Sequence, residues 1–309
     1  MSEKVFDILG LGCVAVDDLL YVPAFPAADT KVQVSKWERQ CGGLTGTALV
    51  TAARLGTRCA FAGLLGFDEL SQVIVENFQR EGIDVSFAPR AKDAPVPHSV
   101  IIVAAETGTR NIFYRIDGRC GADNQLPDES VIRSARVLFL DQYGMTGNIR
   151  AATIARAAGI PIVADFEDYQ DPRFNELLGF VDHIVLPYDV AEKLTGKTSP
   201  EAAAKALWHQ QSQAVVITCG VAGSWFVGKD GAVQHQPAFK VRAVDTTGCG
   251  DVFHGAYAAG VAQGAPLTDC VRLAAAAAGL KATQPGGQRG IPTRAQVDEF
   301  LGSGPVYRS

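Results

Sequence analysis

Motifs that define several large protein classes are absent from this chain of 309 residues. No C-x-x-C or H-E-x-x-H spacing occurs, so neither a structural nor a protease-type zinc site is expected. No apolar run reaches 18 residues without a charge or a turn residue, so no membrane-spanning helix is predicted. The net charge of −5 at pH 7 argues against a nucleic-acid or anionic-membrane partner. Seven cysteines without paired spacing indicate reduced thiols, and we expect a cytoplasmic protein.

Two common nucleotide-binding motifs are also absent or incomplete. Residues 42–47 are rich in glycine but lack the lysine of a Walker A loop. Residues 10–15 fit G-x-G-x-x-A, but two aspartates and two prolines follow within residues 17–26, where a dinucleotide fold needs a helix. Neither motif therefore predicts a nucleotide site.

The most informative segment is residues 244–255, which read Val-Asp-Thr-Thr-Gly-Cys-Gly-Asp-Val-Phe-His-Gly. The alternating residues 238–244 before it predict a strand, and the apolar spacing of residues 252–262 predicts a buried helix. Gly248 and Gly250 allow a tight turn, because glycine adopts backbone angles that other residues avoid. The free N–H groups and the positive dipole end of the following helix then form an anion site.

Two side chains in this turn have a predicted chemical role. Asp251 is expected to take a proton from a substrate hydroxyl while the anion site holds a phosphoryl group. The alternative is that Asp251 only caps the helix, as aspartate often does. Cys249 is expected to have a lowered pKa and to react readily, because its thiol also lies at the helix N-terminus.

The same segment resembles the second signature of the ribokinase family, the phosphofructokinase-B type carbohydrate kinases. The family pattern is Asp-Thr-x-Gly-Ala-Gly-Asp, and only its alanine differs here, since Cys249 stands in that place. Residues 234–248 also look like a subgroup that contains sulfofructose kinases. Further similar regions follow in the family's order, so the resemblance covers nearly the whole chain: Gly42-Gly43, residues 52–56, residues 63–68 and residues 81–84.

We expect an α/β fold with a ribokinase-like three-layer α/β/α core, a mostly parallel sheet and a small β-sheet lid. Strands and helices alternate regularly after residue 135, which is typical of a parallel sheet. Two extended regions interrupt the alternation and are expected to cover the carboxyl ends of the core strands, where ligands bind. The predicted core is residues 1–12, 39–96 and 117–309, and the predicted lid is residues 13–38 and 97–116. Within the lid, residues 31–34 are predicted as a strand, and residues 100–103 and 111–114 as a hairpin that turns at Gly108-Thr109.

The resemblance implies a role for each matching position. The catalytic base is Asp251, and the anion hole is formed by Gly248, Cys249 and Gly250. The acceptor is bound by Asp17, Gly42, Gly43, Thr47 and Asp251. The nucleotide is bound by Thr218, Gly220, Gly223, Gly250 and Gly286. A monovalent cation is bound by Asp245 and Thr247, so the implied cofactors are ATP, Mg²⁺ and K⁺.

Some of these positions also have a plain structural interpretation. Asp17 and Asp18 at a strand end would simply face water, and we choose Asp17 because it takes the family's place for a substrate ligand. Gly42-Gly43 would be an ordinary flexible turn, and residues 216–223 an ordinary connection between strands. The resemblance favours the functional interpretation in each case.

Three further positions depart from the family pattern. Thr47 stands where asparagine is usual, and a hydroxyl lacks the second polar arm of an amide. The family has an Asn-x-x-Glu motif that is tied to Mg²⁺, and here Pro187 stands in place of its asparagine and Val190 in place of its glutamate. Asp189 and Glu192 are nearby carboxylates that could substitute for that glutamate. Magnesium is still expected, because MgATP is the usual phosphoryl donor.

The predicted function is ATP-dependent phosphorylation of a hydroxymethyl group on a sugar or sugar-like substrate. The alternatives are a sulfofructose kinase, a nucleoside kinase, and a non-catalytic protein of the same fold that binds sugar and nucleotide. Arg115 and Arg119 are candidate ligands for a sulfonate, but Tyr143 stands where the sulfofructose subgroup carries arginine. Apolar residues in both lid regions predict a homodimer formed through the lid.

Overall fold

The computed structural model describes residues 4–106, 109–209, 211–304 and 306–307. These residues form strands β1 (Phe6–Leu11), β2 (Ala15–Val22), β3 (Lys36–Gly42), β4 (Cys59–Phe61), β5 (His98–Ala104), β6 (Arg110–Arg115), β7 (Ala135–Asp141), β8 (Ile162–Asp165), β9 (His183–Pro187), β10 (Ala214–Thr218), β11 (Ser224–Gly228) and β12 (Val233–Gln236). The helices are α1 (Leu44–Arg54), α2 (Glu69–Arg80), α3 (Glu129–Arg133), α4 (Met145–Ala157), α5 (Phe174–Leu178), α6 (Tyr188–Thr195), α7 (Pro200–Leu207), α8 (Cys249–Ala262), α9 (Leu267–Ala282) and α10 (Arg294–Gly302). In this part of the chain no helix combines the length and apolarity needed to cross a bilayer.

The core is an eight-stranded sheet between two layers of helices. Its strand order is β12-β11-β10-β9-β8-β7-β1-β4. The strands from β10 to β4 are parallel, and β11 and β12 are antiparallel at one edge. Along β1, Ile8 packs into one core while Leu9 and Leu11 pack into the other, because successive strand residues point to opposite faces. Residues of α1, α2, α8, α9 and α10 fill the first core, and residues of α3 to α7 fill the second. The predicted three-layer fold is confirmed.

A separate four-stranded sheet has the order β3-β2-β5-β6. β2 and β5 are parallel, whereas β2 pairs with β3, and β5 with β6, in antiparallel fashion. Contacts that fasten this sheet to loops of the core include a hydrogen bond from Gly287 N to Gln40 Oε1 at 3.0 Å and the approach of Arg110 Nη1 to Asp245 Oδ1 at 3.6 Å. Arg289 Nη1 also donates to Glu38 Oε1 at 2.6 Å. The β5–β6 hairpin is confirmed, although Gly108 of its predicted turn lies outside the described residues.

Several local predictions are wrong. Residues 31–34 form no strand, and β3 begins at Lys36 and runs to Gly42, past the predicted lid boundary at residue 38. Residues 238–244 also form no strand; β12 ends at Gln236, and one isolated bridge joins Phe239 to Tyr307. An alternating pattern becomes a strand only when a neighbouring strand pairs with it, and apart from that single bridge no described strand pairs with either segment. Helix α8 begins at Cys249, three residues earlier than predicted.

Candidate active site

Acidic and hydroxyl side chains stand where the parallel strands end. Asp141 ends β7, Asp165 ends β8 and Thr218 ends β10, and the carboxyl ends of parallel strands meet at one edge of a sheet. Asp141 is fully buried and accepts hydrogen bonds from Cys13 N at 2.6 Å and Thr45 Oγ1 at 2.8 Å. Burial raises the pKa of Asp141 to about 6. This carboxylate therefore joins the β1–β2 connection to helix α1 at the floor of the site.

The N-terminus of α8 supplies the predicted anion site. Gly248 is the N-cap residue and has a left-handed φ of 73°, which favours glycine. The backbone N–H groups of Gly248, Gly250 and Asp251 have no acceptor within the described residues. The N–H of Cys249 instead donates to Thr246 O at 3.2 Å. Among the described residues, the free N–H groups of this turn are therefore those of Gly248, Gly250 and Asp251, and the N–H of the predicted donor Cys249 is already bonded.

Asp251 lies in the first turn of α8 among other carboxylates. Burial raises its pKa well above the ordinary range, and the charges of Asp165, Glu167, Asp141 and Asp17 raise it further. Among the residues that the structure describes, no lysine or arginine pairs with Asp251, and no side chain caps the helix. The geometry thus gives no support to the capping interpretation, and it places a carboxyl group beside the free N–H groups.

Asp17 lies within β2 of the small sheet, not at a strand end as predicted. Burial raises its pKa, against the opposing hydrogen bond from Ser99. Neighbouring Asp18 is bound instead by Arg39 Nε at 2.8 Å and His98 Nε2 at 2.8 Å. Asp18 is therefore a structural residue of the sheet, while Asp17 has no ion pair among the described residues.

The two glycines before α1 make close contacts, and at Gly43 these are with backbone atoms, which cannot easily move. A side chain on Gly42 would place its Cβ 2.7 Å from Asp17 Oδ2. Gly43 has a φ of 84°, and its Cβ would lie 2.6 Å from Val14 Cα. Thr47, one turn along α1, is buried. If Gly248 carried a side chain, its Cβ would lie 3.7 Å from Thr47 Cγ2, which is an ordinary van der Waals contact. Gly42 thus lies beside Asp17, and Thr47 lies beside Gly248.

A cavity of about 240 Å³ adjoins the anion hole. Four of the predicted nucleotide residues line it, together with Cys249 on the side of α8: Thr218, Gly220, Gly223 and Gly250. The opposite wall is a stripe of small residues on α9, namely Ala275, Ala278, Gly279 and Ala282. Small side chains at helical spacing leave room for a flat ring against the helix. The fifth predicted residue, Gly286, does not line this cavity; its N–H donates to Asp245 Oδ2 at 2.8 Å.

The thiol of Cys249 differs from its prediction. Burial raises the pKa of Cys249, and the charge of Lys281 opposes this rise without reversing it. The thiol is turned towards α9, where Sγ lies 3.6 Å from Ala278 O. The expected lowered pKa is therefore wrong, because burial against the neighbouring helix disfavours the charged thiolate.

The pair predicted to bind a monovalent cation, Asp245 and Thr247, is linked internally. Thr247 N donates to Asp245 Oδ1 at 2.8 Å. Hydrogen bonds and the nearby charge of Lys281 hold the pKa of Asp245 below its usual value, despite the opposing effect of burial. Lys281 also donates to the backbone oxygen of Asp245 at 2.9 Å.

The sequence interpretation missed four residues at this edge. Asp165 and Glu167 flank buried Phe166 directly after β8, and a D-x-E at the end of a predicted strand was the available signal. Gln40 and Lys281 gave no signal in the sequence, because their hydrogen-bond partners, Gly287 and Asp245, are distant in the chain.

A glycine-lined anion hole, a neighbouring carboxylate and a lid over one edge of an α/β sheet are typical of a small-molecule phosphotransferase. A profile of the pfkB family carbohydrate kinases matches residues 9–294, and the chain belongs to that family. It is 29% identical over 304 residues to ribokinase of Haemophilus influenzae, covering 94% of this chain and 97% of that protein. It is 26% identical to ketohexokinase of Mus musculus, covering 91% and 97%. The solved ribokinase of Thermotoga maritima superimposes with a TM-score of 0.85 at 26% identity, covering 96% and 99%. The protein is a carbohydrate kinase.

Proposed function

We propose that this kinase transfers the γ-phosphoryl group of ATP to a hydroxymethyl group of a sugar or sugar-like substrate. The observation that carries the proposal is the position of Asp251 in the helix turn whose N–H groups are free. The cavity beside that turn is suited to the nucleotide, and Asp17 lies on the other side, in the small sheet.

Each group then has a defined task. Asp251 accepts the proton of the attacking hydroxyl, because it is the carboxylate in the helix turn that holds the free N–H groups. The N–H groups of Gly248, Gly250 and Asp251 stabilise the charge on the transferring phosphoryl oxygens. Asp17 accepts hydrogen bonds from hydroxyls of the acceptor, since a carboxylate is a good acceptor for a diol.

Magnesium would be held by Asp165 and Glu167 in place of the missing Asn-x-x-Glu pair. Asp165 Oδ2 is buried and has no hydrogen-bond partner among the described residues. His254 Nδ1 lies 3.2 Å from it, but this nitrogen is hydrogen-bonded to Gly250 O at 2.8 Å. Carboxylate oxygens suit Mg²⁺, which binds through one or two of them together with substrate phosphates and water. The described residues contain no group of three or more histidine, cysteine, aspartate or glutamate side chains that could hold a metal ion by themselves. The bound ion would neutralise charge on the phosphates.

Glu167→Gln is expected to raise the Mg²⁺ concentration needed for half-maximal rate by about 10–100-fold, as loss of a group near a metal commonly does. The measurement is a Mg²⁺ titration of activity together with Mn²⁺ binding to the enzyme–ADP complex, followed by electron paramagnetic resonance. Glu192→Gln on α6 is the matched control, because that residue is the rival substitute. A shift for Glu192→Gln with none for Glu167→Gln would place the ion at α6.

The two narrower alternatives differ in how well this chain supports them. Arg115 is ion-paired with Asp117, and Arg119 with Asp93 and Asp123, so neither candidate arginine is available to a sulfonate without breaking a pair. A sulfofructose acceptor is therefore less well supported than a neutral sugar. A nucleoside remains an acceptor of the right chemistry, and the non-catalytic alternative has no support from a site in which Asp251 is retained.

A single-turnover assay with MgATP and a panel of acceptors tests the function. The panel contains pentoses, hexoses, ketoses, a sulfosugar and nucleosides, and product is detected by mass. We expect stoichiometric phosphorylation of at least one neutral sugar. Binding of sugars and ATP without any transfer would establish the non-catalytic alternative, and transfer only to the sulfosugar or only to nucleosides would replace the proposed acceptor.

The small sheet is also proposed as the surface of a homodimer. All residues of β6 are exposed, including Ile112, Phe113 and Tyr114, and Trp37 of β3 is exposed as well. Ile112 and Tyr114 point to one face of this sheet, and Phe113 and Trp37 to the other, because side chains alternate along a strand. A second copy of the same sheet, packed on the face of Ile112 and Tyr114, would bury these apolar side chains and help exclude water from the site.

Ile112→Asp is expected to convert the dimer to a monomer at micromolar concentration and to raise ATP hydrolysis relative to acceptor phosphorylation. Sedimentation velocity and the ratio of ADP to sugar phosphate measure the two effects. Val5→Asp, another exposed apolar residue placed outside the small sheet, is the control. A wild-type monomer with tightly coupled ATP use would contradict this proposal.

A further inference from the structure

Lys281 is a fully buried lysine at the C-terminal end of α9. Burial of an ammonium group is costly unless oxygen atoms replace its water shell. Its Nζ donates to the backbone oxygen of Asp245 at 2.9 Å, and Asp245 Oδ1 lies 4.0 Å away. The charged group of Lys281 is therefore placed against one residue, Asp245.

Asp245 joins three segments around the site. Its Oδ1 accepts from Thr247 N and its Oδ2 from Gly286 N, each at 2.8 Å. Arg110 of the small sheet lies 3.6 Å from Oδ1. The anion-hole turn, the loop after α9 and the lid therefore meet at one carboxylate. Lys281 stabilises this junction from the side of the core.

The resemblance implies a monovalent cation at Asp245 and Thr247, and the residues present do not fit one. K⁺ requires several oxygen ligands that face a common centre. Here both side-chain oxygens of Asp245 accept backbone N–H groups, and its backbone oxygen accepts the Lys281 ammonium. A second cation beside that ammonium would also be repelled at close range.

We propose that the ammonium of Lys281 takes the place of the monovalent cation, so that this kinase forms its anion hole without K⁺. The inference rests on the proposed phosphoryl transfer for its kinetic consequence only. Lys281 acts as a positioning residue: it fixes Asp245, and Asp245 fixes the turn that aims the Gly248 N–H. The positive charge is then part of the chain and does not depend on the salt around it.

The first test compares wild-type rates in KCl, NaCl and tetramethylammonium chloride at equal ionic strength. We expect rates that agree within about twofold, because no ion has a site to fill. The melting temperature of the wild-type protein should also be the same in the three salts. Activation by K⁺ of about tenfold or more would overturn the proposal.

The second test removes the ammonium. Lys281→Ala is expected to lower the rate about tenfold or more in K⁺-free buffer, because a buried carbonyl and carboxylate lose their charged partner. KCl, but not tetramethylammonium chloride, should raise the melting temperature of this variant and restore part of its rate. Lys281→Arg, which keeps the charge, should retain more activity than Lys281→Ala. Lys4→Met is the matched control, since Lys4 also donates to backbone oxygens, of Arg133 and Ala135, outside the site.

The outcomes separate this inference from the function. A normal rate of Lys281→Ala in K⁺-free buffer would overturn it. A lower rate that KCl does not restore, with a melting temperature that KCl does not raise, would overturn it as well. If Lys281→Ala fails to fold, the wild-type salt comparison and Lys281→Arg still decide. If no acceptor is phosphorylated, the melting temperatures in the three salts test Lys281 without any turnover.

Discussion

Asp251→Asn is expected to lower the rate of phosphoryl transfer by about 10²–10⁴-fold, the usual value of general-base help. The substitution keeps the shape of the side chain and all backbone N–H groups of the anion hole, but an amide cannot accept the proton of the acceptor hydroxyl. It also removes an ionisable group from a cluster of carboxylates, including Asp165 and Glu167, whose charges raise the pKa of Asp251. The folded protein should therefore be at least as stable as the wild type, and ATP should still bind.

Single-turnover rates, ATP affinity by calorimetry and thermal unfolding measure these three effects. Asp182→Asn is the matched control, because burial also raises the pKa of Asp182. Asp182 accepts a hydrogen bond from Ile162 N at the start of β8, whereas Asp165 ends that strand, so the control lies away from the site. The control should keep a rate near that of wild type. A rate for Asp251→Asn within a few-fold of wild type would show that another group accepts the proton.

Asp17→Ala is expected to raise the KM for the acceptor about 10–100-fold, with a much smaller change in the KM for ATP. The reason is that hydrogen bonds to a charged group contribute about 1.5–3 kcal/mol, and Asp17 would make them only to the acceptor. Its place in β2 beside Gly42 leaves the nucleotide cavity untouched.

Asp18→Asn is the control for this prediction. That substitution weakens the contacts with Arg39 and His98, so it should lower the melting temperature while the ratio of the two KM values stays near that of wild type. Equal increases in both KM values for Asp17→Ala would mean that the small sheet is disturbed as a whole and that Asp17 does not face the acceptor.

The local elements could be predicted because they depend on neighbours in the chain. The alternation of strands and helices after residue 135, the β5–β6 hairpin and the buried helix α8 were predicted from such local patterns. The segments that failed, residues 31–34 and 238–244, have the alternation of a strand but no neighbouring strand to bond. Pairing is a property of the assembled sheet, so alternation alone was not sufficient.

The candidate site divides in the same way. Gly248, Gly250 and Asp251 could be identified from their order, because a helix N-terminus forms an anion site from consecutive residues. The raised pKa of Cys249 could not, since it depends on α9, about thirty residues further along the chain. The choice between Asp17 and Asp18 gained its physical basis only from the partners of Asp18, Arg39 and His98.

The sequence by itself determined the family, the three-layer fold and the turn before α8, because each is encoded by contiguous residues or by their order. The tertiary structure decided which groups are free and which are occupied. It places the N–H of Cys249 in a turn hydrogen bond, surrounds Asp251 with carboxylates and sets the Lys281 ammonium against Asp245. Burial and charge act through space, and their effect on each group depends on residues that only folding brings together.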